Sequence, residues 1–420
     1  MLPDLVISII SYRYILSTRL YTLILKSIPF TLCFVVMCRI MGENGKRMVL
    51  GMGIKSFETR SSLKQKLHNR NLSFNDKELD EILASHNYFN FFNGLETIFL
   101  ESSQPKTYDN IKLNDFMILY KFDKEIRSIL STCLDSVEEK LKASISYHFS
   151  KRHCTTLNDT MQYTNKINYM DPANNIPGTP TYCKYSNTYP FKNEQNYKIY
   201  QDFNGFKLFK EKFFADTIKK NDHLDTSFYQ DNSYSAPSGV IEYRDNRHNI
   251  YMPKVAIPFW VIIETLTFGE LLYLLHYLQD DVMEDVLKDF GLPISKRTQF
   301  LNMIDILVCL RNKCAHTTLI NRFRTDRKYK INALLISAFS LNPKNNNPSC
   351  ILKLYDTIKI LSYFTDVSAL KKPFKVLKYR IYISLGVKKG KYIYNKILDR
   401  MGCGDSKQWR EVLSNIKYSL

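Results

Sequence analysis

Across residues 113–149, Leu119, Phe122, Ile126, Ile129, Leu130, Cys133, Leu134, Val137 and Leu141 recur at spacings of three and four, the period of one helix face. A helix of that length must cover its apolar stripe along its whole run. The segment therefore reads as the longest helix in the front half of the chain. Similar spacing marks Leu63, Leu67 and Leu72, a helix starting at Asn75 or Asp76, a strongly apolar helix over 261–278, and one over 295–316. The polar positions Asp123, Glu125, Arg127, Glu138 and Glu139 of the long segment read as a solvated face. The competing reading is that Arg127 or Glu138 reaches a catalytic centre. The aromatic run from Asn87 to Leu95 reads as core in preference to a base-stacking platform.

The helical pattern fails between residues 155 and 253, where the sequence turns Asn- and Tyr-rich and Pro172, Pro177, Pro180 and Pro190 break any period. This predicts an irregular insertion with one helical island over 204–220. The expected organisation is an N-terminal extension at 1–53, a core at 54–330 that contains the insertion, and a C-terminal helical, basic region at 331–420.

With 420 residues the chain can bury a full core. Its 59 basic residues against 41 acidic ones leave a net charge of +18, which favours a polyanionic partner, nucleic acid or an anionic membrane surface. Nine cysteines form no C-x-x-C and have no His at ligand spacing. They read as reduced cytoplasmic thiols, with no metal or cofactor implied. In the first fifty residues Arg13, Arg19 and Lys26 interrupt the apolar runs, so that none reaches spanning length. A start at Met41, Met48 or Met52 accounts for them best, with membrane attachment the lesser reading. The basic residues Lys371, Lys372, Lys375, Lys378, Arg380, Lys388, Lys389, Lys391 and Lys396 interleave with Phe374, Tyr379, Tyr382, Tyr392 and Tyr394. That mixture suits single-stranded RNA, and a solvated face with inward rings explains it almost as well.

Near the end of the 295–316 segment stands Arg311-Asn312-Lys313-Cys314-Ala315-His316. Helical projection places Arg311 near the middle of a stripe made by Ile304, Leu307, Val308, Cys314 and Ala315, where a cation needs a partner, a wet cleft or a chemical role. Asn312 and His316 would be an i, i+4 pair. A guanidinium that holds phosphate beside an imidazole that moves protons is the minimal equipment for metal-free RNA cleavage. Alone, Arg-x4-His is weak: about one chain in three of this composition would contain it by chance.

Context strengthens it. Leu310-Arg311-Asn312-x-Cys314-Ala315-His316, followed by Leu319-Ile320-Asn321-Arg322, resembles the HEPN ribonuclease superfamily, and more closely the Abi-like (AbiD/AbiF) family of abortive-infection proteins. The resemblance extends to Ser56-Phe57-Glu58, to Asn87 to Leu95, to Leu119 through Arg127, to Pro258 through Leu271, and to Met401-Gly402 with Trp409. It implies an all-α fold, a HEPN-type helical bundle with an irregular insertion and additional C-terminal helices, and Arg311, His316 and Asn312 as catalytic residues of an endoribonuclease that uses no metal. Lys313, Arg322, Arg324, Lys371, Lys372, Lys375, Lys378, Arg380, Lys388, Lys389 and Lys391 would bind RNA. One imidazole cannot be acid and base at once, so the resemblance also implies a homodimer with a composite site. RNA is the expected partner, as substrate and as a small noncoding regulatory RNA. The alternatives are a catalytically silent HEPN module that binds RNA, and a membrane-acting toxin.

Overall fold

Loops that end on capping side chains and helices that bury one face account for most of the architecture. The computed structural model describes residues 57–170, 203–211, 229–242, 255–316, 318–325, 331–343, 351–414 and 420. The expectations for residues 1–53, and for most of the insertion, lie outside them. Helix α1 (Arg60–His68) buries Leu67. Asn75 then caps α2 (Asp76–Ser85), its Oδ1 accepting the amide of Lys77 at 2.9 Å, as the Asn-Asp start predicts. A short π-helix, Phe89–Asn93, leads directly into α3 (Gly94–Phe99). A small antiparallel hairpin of β1 (Leu100–Ser103) and β2 (Lys106–Tyr108) follows.

Helix α4 (Leu113–His153) is 41 residues long and is the axis of the fold. Of the nine apolar positions that define its stripe, all but Ile129 are buried. Around it pack α3, α5 (Phe259–Ile262), α6 (Phe268–Tyr277), α7 (Asp280–Asp289), α8 (Arg297–Ala315), α10 (Leu354–Phe364) and α11 (Lys371–Leu385). Helices α9 (Ala333–Ala338), α12 (Val387–Met401) and α13 (Ser406–Val412) complete the set. The all-α expectation holds for the described residues. Residues 60–420 form one compact unit.

One expectation is corrected. The single helix over 261–278 is broken: α5 gives way to a 3-10 turn at Ile263–Thr265, and α6 starts afresh after Thr267. Thr267 and Glu270 form a reciprocal cap, with Glu270 Oε2 accepting the Thr267 amide at 2.8 Å. A capping box inside an apolar run restarts a helix, which periodicity alone does not report. The expected island over 204–220 lies mostly outside the described residues; its described part holds a 3-10 turn at Lys207–Phe209. No helix among the described residues is long and apolar enough to cross a membrane, and no two described cysteines form a disulfide.

Candidate functional site

Helix α8 carries the Arg-x4-His motif to its last turn and stops there. Its buried face includes Ile304, Leu307, Val308, Leu310 and Cys314, which anchor it in the core. Arg311 is half-buried, and Asn312, Ala315 and His316 are exposed. The expected stripe thus ends one residue early, at Cys314, because Ala315 is exposed. His316 is the C-cap, with extended backbone (φ −87°, ψ 145°), and its amide donates to Asn312 O at 3.3 Å. Leaving the helix at this residue turns the imidazole away from the i, i+4 position. Asn312 and His316 accordingly share a backbone hydrogen bond and no side-chain one.

What holds this helix end is the inner face of α4. The Cys314 thiol hydrogen-bonds Ser131, and burial pushes it up to about 12 while the charge of Arg127 opposes the rise. Residues 123, 127 and 131 follow one another at four-residue spacing, so one face of α4 backs the motif. Arg127 therefore lies against the last turn of α8. Glu138 does not: it pairs with Lys142 at 3.2 Å, four residues along.

The solvated-face reading fails for Asp123, which is 2% exposed. Its carboxylate accepts the Ile320 amide at 3.0 Å, the Asn321 amide at 2.7 Å and the Asn321 side-chain amide at 2.6 Å. Burial raises its pKa to about 6, against the pull of those donors and of Arg127. Asp123 thus pins the 3-10 turn Ile320–Arg322 that follows the motif. Nothing in the spacing distinguished it from its exposed neighbours. Asn321 Oδ1 in turn accepts from Arg400 Nη1 at 3.2 Å, which also donates to Gly94 O at 3.0 Å. A Cβ on Gly94 would meet a terminal methyl of Leu319, so any side chain there requires Leu319 to shift. The aromatic segment, the long helix, the post-motif turn and the C-terminal hairpin therefore meet at one place.

An open groove of about 710 Å³ lies there. Lys313, three residues before His316, and Thr318, two after it, both line it. Arg322 and Arg324, expected to bind RNA, are also in its wall, and the structure adds Lys353, Arg400 and Phe89. Among the described residues no acidic side chain lines it. Sequence reasoning missed Arg400 and Lys353 because both are distant in the chain and belong to no local basic run.

The other expected RNA-binding residues sit elsewhere. Lys371, Lys375 and Lys378 line a separate cavity with Phe374, Tyr394, Trp409 and Arg410. Lys388 and Lys389 border another beside Asp109. Lys389 is tied there, its ammonium 2.7 Å from the Asp109 carboxylate. Lys372, Arg380 and Lys391 are exposed on the α11–α12 hairpin. Its aromatic residues divide between the two readings: Phe374 and Tyr394 are buried, Tyr379 and Tyr392 exposed.

No curated protein and no solved structure matches this sequence. The family model described as Abi-like protein matches residues 81–321. That span runs from within α2, through the whole of α4 and α8, to the Asn321 that Asp123 holds, and it covers more than half of the 420 residues. The chain belongs to the Abi-like protein family.

Proposed function

We propose that this chain is a metal-independent endoribonuclease of the HEPN type, acting as the toxin-like effector of an abortive-infection system. Membership of the Abi-like family suggests the phage-defence role. What supports the nuclease reading is the end of α8: half-buried Arg311 and exposed His316 are chain neighbours of Lys313 and Thr318, which line a groove whose described lining residues include five cations and no carboxylate. In this reading Arg311 holds the scissile phosphate and stabilises the charge that builds on it, Asn312 contacts a phosphate oxygen, and Lys313, Arg322 and Arg324 hold the flanking strand. His316 takes the proton from a ribose 2′-hydroxyl. That oxygen attacks phosphorus, the bond to the 5′-oxygen breaks, and the leaving oxygen takes a proton from His316 of a second copy. The products are a 2′,3′-cyclic phosphate and a 5′-hydroxyl. A homodimer supplies the two imidazoles. The half-buried Lys371 and the exposed cations of the hairpin, Lys372, Lys375, Lys378, Arg380, Lys388 and Lys391, contact RNA outside the cleavage site.

Single-turnover cleavage at neutral pH with a chelator present tests this. His316→Ala is expected to lose roughly 100- to 10,000-fold in rate while keeping its circular dichroism. Equal RNA loss by parent and variant would sink the nuclease reading. Parental RNA binding with no cleavage by either would favour a silent binding module instead.

A further inference from the structure

The groove beside the last turn of α8 combines an outward aromatic ring with a set of cations, three of which pair with no described residue, and that combination points to a ligand. In the π-helix Phe89–Asn93, Phe91 and Phe92 are fully buried, yet Phe89 is 64% exposed and stands in the groove wall. Its backbone is fixed: Asn87 Oδ1 accepts the Phe89 amide at 2.9 Å, and Phe89 O accepts the amide of Gly94. A phenyl ring held in water loses the benefit of burial, but it offers a rigid face to a planar, apolar partner.

The cations around it are equally particular. Lys313, Arg322 and Arg324 form no ion pair with any described residue, and no acidic side chain is among the described lining residues. Arg400, in its wall, is pushed down to about 10 by burial and by the charge of Arg322, while the buried carboxylate of Asp123 opposes the fall. The guanidiniums of Arg322 and Arg400 repel each other, and bound phosphate relieves that repulsion. The Thr318 hydroxyl, also in the wall, is buried with no hydrogen-bond partner among the described residues. Anion, flat ring and hydroxyl partner occur together in a nucleotide.

We propose that this groove is a binding site for single-stranded nucleic acid, which seats one unpaired base on Phe89 and the neighbouring phosphates on Arg322 and Arg324. A duplex supplies the phosphates but keeps its bases stacked on one another, so the ring discriminates against it. The inference rests on the nuclease reading for one point only, that the strand delivered past His316 is RNA. It makes unpaired loops and tails the substrate class.

The test uses the full chain and a fluorescein-labelled short oligouridylate with 2′-O-methyl groups throughout, which has no nucleophile and cannot be cut. Anisotropy is followed for this strand and for its duplex with a complement. The parent is expected to prefer the single strand. Phe89→Ala should weaken that binding by about tenfold and leave the duplex unchanged, and Phe89→Trp should restore it. Arg322→Glu should weaken both. Unchanged affinity in Phe89→Ala, or a duplex bound as tightly as the strand, would overturn the site. A parent that binds through Phe89 but leaves ordinary RNA intact would overturn the nuclease reading and not this one. A parent that cleaves RNA as well with Phe89→Ala as without it would overturn this site and not the nuclease.

Discussion

Asp123 is the residue on which the geometry behind the motif depends most. It satisfies three buried N–H groups of Ile320 and Asn321, and through Asn321 it is linked to Arg400. Truncation to Ala strands those donors, so Asp123→Ala is expected to cost roughly 2–5 kcal/mol in urea unfolding. Asp123→Asn keeps one acceptor oxygen and should cost less. The carboxyl is raised to about 6 in the folded chain, above its unfolded range near 4. The folded state therefore binds this proton more tightly, and the contribution is fully present below about pH 4 and lost as pH rises through about 6. Between those values the urea midpoint of the parent should fall more steeply with rising pH than that of Asp123→Asn. Parallel slopes would show that Asp123 does not titrate there.

Among the elements, the junction of α6, α7 and α8 is secured by a single buried guanidinium. Arg297, at the start of α8, is 1% exposed. Its Nη2 donates to Leu275 O at 3.2 Å, His276 O at 3.3 Å and Leu278 O at 2.8 Å, the carbonyls that the end of α6 leaves without helical partners. Its Nη1 pairs with Asp280 at 2.7 Å, at the head of α7. Arg297 thus positions the helix whose far end carries Arg311 and His316. Arg297→Met is expected to lose about 3–5 kcal/mol of stability by thermal or urea unfolding. A loss within error of zero would mean that packing alone fixes the junction. His276, next to this cation, is held down to about 3 by burial and by Arg297, so it stays neutral. It contributes stability near pH 7 that acid removes, because the unfolded imidazole protonates first.

For the whole molecule, the composite-site reading makes catalysis depend on association of two chains. Cleavage per chain should fall on dilution through the dimer dissociation constant, in step with the dimer fraction from sedimentation equilibrium. Activity that stays constant per chain where the protein sediments as a monomer would exclude a shared site. The surplus charge of +18 acts at the same scale, and RNA affinity should fall steeply as salt rises from 50 to 200 mM, by roughly tenfold or more.

Much of this was legible in the chain before folding. Helical spacing identified α4 and α8 to within a few residues at each end, and Asn75 marked the start of α2, because these signals depend on local backbone geometry and neighbouring side chains. The Arg-x4-His pair and the cations Lys313, Arg322 and Arg324 were visible for the same reason: all belong to one short stretch. The broken helix at Thr267 was missed because apolar period and capping chemistry gave opposite local answers, and the cap prevailed. Asp123 read as an ordinary surface charge and no local signal singled out Arg297, since burial and hydrogen-bond partners from distant segments are properties of packing.

The sequence by itself determined that this protein is helical, that it carries a surplus of positive charge, and which helix ends on the guanidinium and imidazole. Only the tertiary structure decided that Arg400 and Lys353 join the wall beside that helix end, that Phe89 faces out while Phe91 and Phe92 face in, and that most of the C-terminal lysines lie apart from it. The reason is physical: periodicity and composition act between neighbours along the chain, whereas a groove is made by residues brought together when helices bury their apolar faces against one another.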